Sequence, residues 1–550
     1  METITITLGN NEKREYNKGI KFQDVVLDIN NTYNSDIIAG KFNGRLIKFM
    51  DPLNKSGKLY LYDVNTKMGN KIYERGLTYL FTSCAKEVLG KDTVIEIKYS
   101  IDKGIYCTFN RSLSVEEVKQ IKDAMKDAVN KAIPFVEVET SRIDAISYFR
   151  KIKRMDKVKI LSYTTSDFVK LYKFNGMYNY IIGALPYDTS VLKYFDLTLI
   201  DNKGIVLRFP SIYDNTKVVR YHHHEKYFDT LEEYFHWSNI LDVHNIGDLN
   251  EKLINSNPGE IINLSEIMQN YKLLNISEKI ALNRDIIKMI LITGPSSSGK
   301  TTTSKKLGLY LKTLGLNPIE ISIDDYFIDR KDVPLDEDGK PDYESIRSVD
   351  VKLFNEHINK LLNREKVVMP TYDFIEGKKV FKKSVELKER DILIIEGLHA
   401  LNDELTSSIP RKNKYKIYVS PLAYLNIDND NRISLTDIRL LRRIVRDNRT
   451  RGYTPSQTLN TWSSVRKGEE KYVFPYQDEA DVILNTFLSY ELGVLKTYVE
   501  PLLYSISDND PEYLTATRLL EMLKFVLPIP SNDVPKLSIL REFIGGSYFE

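Results

Sequence analysis

The chain has 550 residues, which is too long for one hydrophobic core and predicts three or four domains. Lysine plus arginine (78) nearly balance aspartate plus glutamate (76), so the net charge of +2 gives no general reason to bind nucleic acid or an anionic membrane. Two cysteines exclude a disulfide framework and a paired-cysteine metal site, and they suit a reducing cytoplasm, where we expect the protein. No apolar run reaches the ~18 residues of a membrane-spanning helix, and the first residues lack the apolar core of a signal peptide.

The first 225 residues divide into two predicted domains. Alternating apolar residues predict a β-rich module over residues 1–65, with a helix at 22–29 and strands at 3–8, 13–16, 37–42 and 45–49. Residues 66–225 are predicted to be mixed α+β, with helices at 69–89 and 114–132 and strands at 94–99, 104–109, 174–185 and 197–209. The second of these helices opens on a capping box, Ser114 with Glu117.

The second half of the chain carries a different pattern. Residues 226–287 are predicted to be a helical connector, interrupted by a Pro-Gly break at 257–259. Residues 288–527 alternate strand and helix patterns, which predicts a parallel sheet with helices on both faces. The predicted strands are 289–293, 318–323, 391–395, 415–419 and 482–485. The last segment, 528–550, contains prolines and a Gly-Gly pair, and we expect it to be a tail that wraps another domain. The predicted fold class is multidomain α/β.

The most specific motif follows the first of these strands. Residues 294–301 read GPSSSGKT, the pattern G-x-x-x-x-G-K-T of a phosphate-binding loop, between a strand pattern and a helix pattern as the motif requires. Glycines let backbone N–H groups converge on phosphate oxygens, and the helix N-terminus favours an anion. Lys300 is expected to reach the β- and γ-phosphates, and the Thr301 hydroxyl to bind Mg²⁺. The predicted nucleotide-binding residues here are Gly294, Pro295, Ser296, Ser297, Ser298, Gly299, Lys300, Thr301 and Thr302.

Carboxylates and arginines follow the loop at positions that suit phosphoryl transfer. Asp324 and Glu396 each end a predicted strand, at the sheet edge where ligands bind, and can hold Mg²⁺ or accept a proton from a hydroxyl. Residues 437–451 read DIRLLRRIVRDNRTR, and a stripe of arginines at helical spacing favours one shared anionic ligand. That stripe consists of Arg439, Arg442, Arg443 and Arg446.

The ordered strings GPSSSGKTT, SIDDYF, MPTYDF, IIEGL, DIRLLRRIVRDNRTRG and ADVILN resemble the uridine–cytidine kinase branch of the phosphoribulokinase-like P-loop kinases. The resemblance covers residues 288–527 and implies a transferase that uses ATP and Mg²⁺ to phosphorylate the 5′-hydroxyl of a nucleoside. It implies that Asp324 is the general base, acting with Lys300, Arg443 and Arg446. It further implies metal contacts by Thr301, Asp324 and Glu396, a phosphate contact by Arg451, and acceptor contacts by Tyr343, Glu344, Tyr372, Phe374 and Arg443.

Two positions depart from that family. Glu344 follows Tyr343 where the family has a shorter aspartate that grips the ribose hydroxyls. Animal uridine–cytidine kinases have a histidine that reads the pyrimidine after the YDF string, whereas residues 375–379 here read IEGKK. The residues therefore leave two acceptors open, a nucleoside or another sugar-like hydroxyl.

The N-terminal half resembles threonyl-tRNA synthetases. Residues 1–65, with the strings ITI and AGKFNG, resemble their β-grasp TGS domain, and residues 66–225 resemble their editing-type domain in order and pattern. Arg75 and Tyr79 stand where those enzymes have an H-x-x-x-H pair, so we expect no deacylation activity. RNA docking with the nucleotide as a switch, a structural role and a role in forming oligomers all stay open for this half.

Three consecutive histidines occupy residues 222–224. Consecutive side chains point in different directions in helices and strands, so we expect no metal site there.

Overall fold

The structure, a computed structural model, describes residues 2–29, 36–336, 339, 341–373 and 376–550, and for Lys382 the backbone alone. The strands are β1 (Thr3–Leu8), β2 (Lys13–Asn17), β3 (Ile20–Lys21), β4 (Ala39–Phe42), β5 (Arg45–Ile47), β6 (Pro52–Leu53), β7 (Gly57–Tyr62), β8 (Ile95–Ile101), β9 (Gly104–Phe109), β10 (Val136–Ser141), β11 (Phe168–Phe174), β12 (Met177–Asn179), β13 (Asp196–Asp201), β14 (Gly204–Arg208), β15 (Met289–Thr293), β16 (Asn317–Ser322), β17 (Val367–Asp373), β18 (Lys378–Val385), β19 (Asp391–Glu396), β20 (Lys414–Ser420) and β21 (Val482–Asn485). The helices are α1 (Phe22–Ile29), α2 (Lys67–Leu89), α3 (Val115–Asn130), α4 (Arg142–Lys151), α5 (Met155–Ser162), α6 (Glu225–Leu241), α7 (Ile246–Asn255), α8 (Pro258–Leu282), α9 (Lys300–Thr313), α10 (Val351–Leu362), α11 (Leu435–Arg451), α12 (Pro455–Tyr472), α13 (Glu491–Tyr504), α14 (Tyr513–Leu523) and α15 (Arg541–Ile544).

The N-terminal module is a small sheet that α1 covers. Its five strands run in the order β2-β1-β7-β4-β5, and β1 pairs parallel with β7. Alternation in β1 buries Ile4, Ile6 and Leu8 against the helix, which is why the period-two pattern predicted this strand. The first part of the predicted strand at 37–42 is not extended, and β4 begins at Ala39.

The second domain contains an antiparallel sheet in the order β13-β14-β9-β8, packed against α2 and α3. The capping box predicted at the start of α3 is present. The predicted strand 174–185 is wrong, because Asn175 and Gly176 both adopt positive φ and form a turn between β11 and the short β12. The predicted strand 197–209 is two strands, β13 and β14, which pair as a hairpin.

The C-terminal α/β domain is built on a five-stranded, fully parallel sheet in the order β16-β19-β15-β20-β21. Each predicted strand of this region is present within one or two residues. The central strand β15 is wholly buried, with Leu291 facing one hydrophobic cluster and Ile290 and Ile292 the other. This explains its continuous apolar run and places the carboxyl ends of β15, β16 and β19 at one edge.

The predicted helical connector belongs to this sheet's core. It forms α6, α7 and α8, and Asn257 caps α8 at the predicted break, with Pro258 as its first residue. Leu273 and Ile276 of α8 pack in the same cluster as Ile290 and Ile292 of β15. The domain boundaries stay predictions, but α8 covers one face of the sheet and α6 packs in the hydrophobic cluster of the opposite face.

One hairpin was not predicted. Residues 369–373 of the string MPTYDF lie in β17, which pairs antiparallel with β18 and has an irregular register between Met369 and Pro370. Proline lacks the N–H that a strand needs for pairing, so Pro370 argued against a strand here. The strand accommodates this proline at the irregularity in its register.

The tail also differs from expectation. Instead of wrapping another domain, residues 528–550 return to the domain they follow, and α15 packs on α11. Ile539, Leu540 and Phe543 are buried in the cluster that contains Leu441 of α11, so the tail completes that core.

The two halves of the chain share buried contacts. The segment between β20 and α11 reaches the N-terminal half, where Asn426 Nδ2 donates to the carbonyls of Ile97 and Lys98 at 2.7 Å each. Lys157 Nζ lies 2.9 Å from Asp428 Oδ1 and 3.0 Å from Asp430 Oδ2, with no exposed surface. Within the described residues, no helix combines the length and apolar character that crossing a membrane requires.

Candidate functional site

The loop after β15 has the backbone of an anion cradle. A Cβ on Gly294 would lie 1.9 Å from the Val419 carbonyl oxygen, so only glycine fits where the loop leaves the sheet. Ser297 and Gly299 adopt positive φ, and Gly299 directly precedes α9. The N–H groups of the first turn of α9 therefore face the loop, together with the positive end of the helix.

The side chains of the loop lack the partners that an anion would supply. Lys300 Nζ donates to the carbonyls of Gly294 at 2.8 Å and Pro295 at 3.3 Å, and in the described chain no carboxylate lies within 4.0 Å of it. The hydroxyls of Ser297 and Ser298 are buried without a hydrogen-bond partner. An unneutralised lysine and orphaned donors fit a polyphosphate, so the residues present suit a nucleotide.

Two carboxylates stand at the sheet edge beside the lysine. Asp324 lies in the turn after β16 and Glu396 ends β19, with Ser322 Oγ 3.4 Å from Glu396 Oε1. Burial raises the pKa of Asp324, against the lowering effect of the Lys300 charge. Burial also raises the pKa of Glu396 to about 7, and the Asp324 charge adds to that rise. Two carboxylates at the sheet edge without a paired cation suit Mg²⁺, with the exposed Thr301 at the start of α9 as a third ligand candidate.

Glu344 joins this group from another direction. Its pKa is raised to about 7 by burial and then by the Glu469 carboxylate, while the charges of Arg443 and Lys300 lower it. A Cβ on Gly468 of α12 would lie 2.8 Å from Glu344 Cγ, so the glycine allows that helix to approach. The carboxylate therefore lies in the same electrostatic neighbourhood as the loop lysine.

The aromatic candidates are less uniform. Tyr343 is largely exposed, whereas Tyr372 is buried, with its ring 5.8 Å from that of Phe327 and its N–H donating to Asp325 Oδ1 at 3.1 Å. Phe374 lies outside the described residues.

The arginines of α11 divide into two sets. Arg439 and Arg442 are bonded to other protein groups. Arg439 Nε donates to the Ser296 carbonyl of the loop at 2.9 Å, and Arg442 forms a fully buried ion pair with Glu491 at 2.6 Å. The sequence predicted one anionic ligand shared by all four arginines. For Arg439 and Arg442, protein carboxylates and loop carbonyls take the place of that ligand.

The second set is gathered on one buried carboxylate. Asp447 lies 3.1 Å from Arg443, 2.8 Å from Arg446 and 3.6 Å from Arg451. Arg443 Nη1 also donates to Ser296 Oγ at 2.8 Å, and the charges of Arg451 and Asp324 influence each other's pKa. Arg443 thus contacts the loop and Arg451 lies in the field of Asp324, while Arg446 is held beside them on Asp447.

Several residues that meet the loop were not found from the sequence. Glu469 of α12 accepts the Ser296 N–H at 2.8 Å and pairs with Arg439. His399 lies beside Glu344, with Nε2 2.9 Å from its carbonyl oxygen, and burial lowers the pKa of this histidine to about 4. His399 stands three residues beyond Glu396 in the string IIEGLH, and this spacing could have indicated that it lies near the site. No sequence pattern indicated Glu469.

The tail brings a further carboxylate to the loop. Glu542 Oε2 accepts from the Thr302 N–H at 3.1 Å and from the Thr302 hydroxyl at 2.7 Å, at the N-terminal turn of α9. Lys305 Nζ donates to the Phe549 carbonyl at 3.1 Å, and Glu550 pairs with Arg449 at 2.7 Å. An acidic group therefore occupies part of the anion cradle.

The three histidines lie far along the chain from these residues. His222 and His224 lie on one side of the chain, with ring centroids 4.9 Å apart, and ligand atoms of these two and Asp478 fall within 4.8 Å of one another. His224 Nδ1 lies 2.7 Å from Asp478 Oδ2, and hydrogen bonds to Asp102 and Asp478 raise its pKa. The three consecutive histidines do not all converge, but His222 and His224, which are two residues apart, do. The expectation that no metal binds here stays a prediction.

Comparison with known proteins separates the two halves. The model of the Phosphoribulokinase / Uridine kinase family matches residues 289–491. The uridine kinase of Anoxybacillus flavithermus is 30% identical over 197 residues, covering 36% of this chain and 84% of that protein, and the uridine kinase of Clostridium botulinum (strain Kyoto / Type A2) is 30% identical over 200 residues, covering 36% and 86%.

The N-terminal region matches a different enzyme. The threonine–tRNA ligase of Sulfurihydrogenibium sp. is 28% identical over 169 residues, which are 30% of this chain and 26% of the ligase. The chain thus spans about a quarter of that relative's length. By its parallel sheet, its phosphate loop and its match to most of the length of uridine kinases, the chain belongs to the phosphoribulokinase/uridine kinase family.

Proposed function

We propose that this protein transfers the γ-phosphoryl group of ATP to the 5′-hydroxyl of a nucleoside, as the uridine kinases it resembles are named for doing. The observation that carries the proposal is the convergence of Lys300, Asp324, Glu396 and Glu344, whose charges influence one another at the carboxyl edge of the sheet.

Asp324 is the proposed general base. Asp324 is exposed and lies in the field of Lys300 and Arg451, and it has no basic residue paired with it at salt-bridge distance among the described residues. A carboxylate in this position accepts the proton of the attacking hydroxyl as the oxygen approaches phosphorus. Glu344, which also lies in the field of Lys300, is the proposed hydrogen-bond acceptor for the ribose hydroxyls.

Lys300, Arg443, Arg446 and Arg451 supply the positive charge that phosphoryl transfer requires. Arg443 reaches the loop at Ser296 Oγ, and Arg446 and Arg451 share Asp447 with it; such pre-arranged cations stabilise charge on the transferring group. Thr301, Asp324 and Glu396 would hold Mg²⁺, which when bound neutralises phosphate oxygens.

The acceptor is tested by measuring ADP release with ATP and Mg²⁺ and a panel of uridine, cytidine, purine nucleosides, ribose and sugar phosphates. We expect at least one nucleoside to support turnover well above the background without acceptor. Turnover with sugars or sugar phosphates alone would overturn the nucleoside assignment and leave the kinase chemistry in place.

A second acceptor class has one observation in its favour. Residues 375–379, IEGKK, contain no histidine where animal uridine–cytidine kinases place one, which favours a modified nucleoside or a sugar-like hydroxyl. The same panel distinguishes these outcomes.

The N-terminal half supports a separate candidate role, contact with RNA. It rests on the similarity of this region to a threonine–tRNA ligase. Bulk tRNA should then bind the full chain with an affinity that falls as salt rises. Absence of tRNA binding at low salt would remove this role.

A further inference from the structure

A cavity of about 100 Å³ lies where the N-terminal half meets the C-terminal domain. It is formed by α2, by the residues that lead into α11, and by α14, and therefore joins three parts of the chain that are distant in sequence. Its charged lining residues are Lys71, Glu74, Arg75, Asp430, Arg432, Asp437 and Arg518.

The carboxylates of this cavity are already engaged. Arg432 Nη2 lies 2.6 Å from Glu74 Oε1, and Arg518 forms a two-pronged pair with Asp437, at 2.7 Å on each oxygen. Asp430 points to another group of cations, Arg154 at 2.6 Å and Lys157 at 3.0 Å.

Two cations of the cavity remain without a carboxylate of their own. Lys71 Nζ reaches only Asp437 Oδ2, at 3.4 Å, which Arg518 already holds. Arg75 has no carboxylate oxygen within 4.0 Å in the described residues, and one of its five N–H groups donates to a protein acceptor, the Ala184 carbonyl at 2.9 Å. Burial and then the Arg518 charge lower the pKa of Lys71 to about 8 and that of Arg75 to about 10, as expected for cations without a counter-charge.

Two further residues of the cavity lining, Arg432 and Ser434, carry hydrogen-bond donors. The Arg432 side chain is only 10% exposed, and its Nε is buried without a hydrogen-bond partner. Ser434 stands at the N-terminus of α11, and its hydroxyl makes no capping hydrogen bond. The start of a 17-residue helix adds its positive end to the cavity.

We propose that this cavity binds a small oxyanion, a phosphate ion or the phosphoryl group of a phosphate monoester, with Arg75 as its principal ligand. The four cations and three carboxylates of the lining leave an excess of one positive charge, which a singly charged phosphate neutralises. The volume holds a phosphate ion but no nucleotide. The cavity shares Lys71, Arg432 and Ser434 with a larger cleft of about 670 Å³, which gives a path of entry and room for the rest of a monoester.

The test must separate this cavity from the phosphate loop. Phosphate binding is measured calorimetrically on the full chain carrying Lys300→Met, which weakens the loop, and on the same chain with Arg75→Gln or Arg75→Lys added. We expect Arg75→Gln to weaken phosphate binding by at least about 10-fold, because a charge-assisted hydrogen bond is lost, and Arg75→Lys to retain most of it. Equal binding with and without Arg75→Gln would overturn the proposal.

Thermal unfolding is the second readout, and it shows whether a variant has lost binding only because it is misfolded. Phosphate should raise the thermal unfolding midpoint of the Lys300→Met chain, and the rise should disappear with Arg75→Gln and shrink with the milder Ser434→Ala. Glycerol 3-phosphate in place of inorganic phosphate distinguishes a monoester from the free ion. Stabilisation by acetate that equals that by phosphate would contradict the phosphate chemistry, and a rise unaffected by Arg75→Gln would contradict the site.

Discussion

Individual side chains of the sheet edge carry the proposed chemistry, and their electrostatics are set by burial. Asp324, Glu396 and Glu344 are brought into one region by two strand ends and a loop, and none is paired with a basic side chain at salt-bridge distance among the described residues. Carboxylates that are partly withdrawn from water and unpaired have raised pKa values and are stabilised by a cation or a proton. Under the proposed function Mg²⁺ would supply the cation, which would link metal–nucleotide binding to these residues.

Replacing Asp324 with asparagine should remove the proposed base while retaining the shape of the side chain. Turnover should fall by about 10²- to 10⁴-fold, the range attributed to general bases, with ATP affinity little changed. Asp325→Asn is the matched control, because Asp325 accepts the backbone N–H of Tyr372 and faces the hairpin. Retained turnover in the Asp324 variant would remove it from the base role; the readouts are ADP release and calorimetric ATP titration.

Glu344 should give the acceptor step a pH dependence. Its pKa of about 7 means that the carboxyl is neutral below that pH and ionised above it. If the ionised form accepts the ribose hydroxyls, kcat/KM for the acceptor should fall as pH decreases below about 7. The Glu344→Gln variant should lose activity and also lose this limb of the profile; an unchanged limb would assign it to another group.

The residue-level site was partly accessible from the sequence. Asp324 and Glu396 were found because each stands at the end of a predicted strand, and strand ends of a parallel sheet meet at one edge. Glu469 and Glu542 were not found, because each approaches the loop from a helix whose position depends on packing across long sequence separations. No local pattern marks such residues.

At the scale of elements, α11 supports the phosphate loop as well as facing its ligand. Arg442 is fully buried, paired with Glu491 of α13, and donates to the Thr486 carbonyl at 2.8 Å. Such a pair contributes mainly because breaking it leaves a buried charge. The helix is thereby locked against the loop.

Glu491→Ala should therefore destabilise the protein by about 3–5 kcal/mol, the cost of leaving a buried charge unpaired. Glu521→Ala is the control, since Glu521 forms a largely exposed pair with Lys524 and should change the stability by less than about 1 kcal/mol. Thermal unfolding of both variants measures the difference. Equal midpoints would show that Arg442 finds other partners.

The tail gives a second prediction at this scale. Glu542 accepts the Thr302 N–H and hydroxyl, which a nucleotide phosphate would otherwise use. Glu542→Gln should lower the KM for ATP by about 5-fold, since a neutral acceptor competes less well than a carboxylate. Glu521→Gln, on α14, should leave it unchanged. A raised KM would instead make Glu542 part of the nucleotide site.

Most elements were predictable and a few were not, for identifiable reasons. The parallel strands were clear because continuous apolar runs are typical of strands buried on both faces. The β17–β18 hairpin was missed because Pro370 interrupts the pattern, and the turn at Asn175-Gly176 was overlooked within an apolar stretch. The position of the tail could not be predicted from its composition, because its apolar residues could pack on the hydrophobic core of any domain.

For the whole molecule, the two halves are joined by buried charge rather than by a flexible linker. Lys157 of the N-terminal half is enclosed by Asp428 and Asp430 and donates to the Tyr180 carbonyl at 2.8 Å. Sequence similarity separates the halves cleanly, yet it gives no information on this contact, because interface residues of a fusion need not occur in either relative.

Lys157→Met should accordingly destabilise the chain by about 3–5 kcal/mol and shift the unfolding of both halves together, because it leaves Asp428 buried without a cation, whereas Asp430 keeps Arg154. Lys122→Met, which removes a surface pair with Asp196, should cost less than about 1 kcal/mol. Thermal unfolding followed by limited proteolysis reports each half separately. A change confined to one half would show that the halves unfold independently.

The central claim is that the sheet-edge carboxylates and the loop lysine phosphorylate a nucleoside 5′-hydroxyl. Phosphorus NMR of the full chain with ATP, Mg²⁺ and uridine or cytidine, beside the Asp324→Asn variant, tests it most directly. We expect a nucleoside 5′-monophosphate signal that grows with ADP for the unchanged chain and is absent for the variant. ADP formation without any 5′-phosphate, or the same 5′-phosphate signal from both chains, would contradict it.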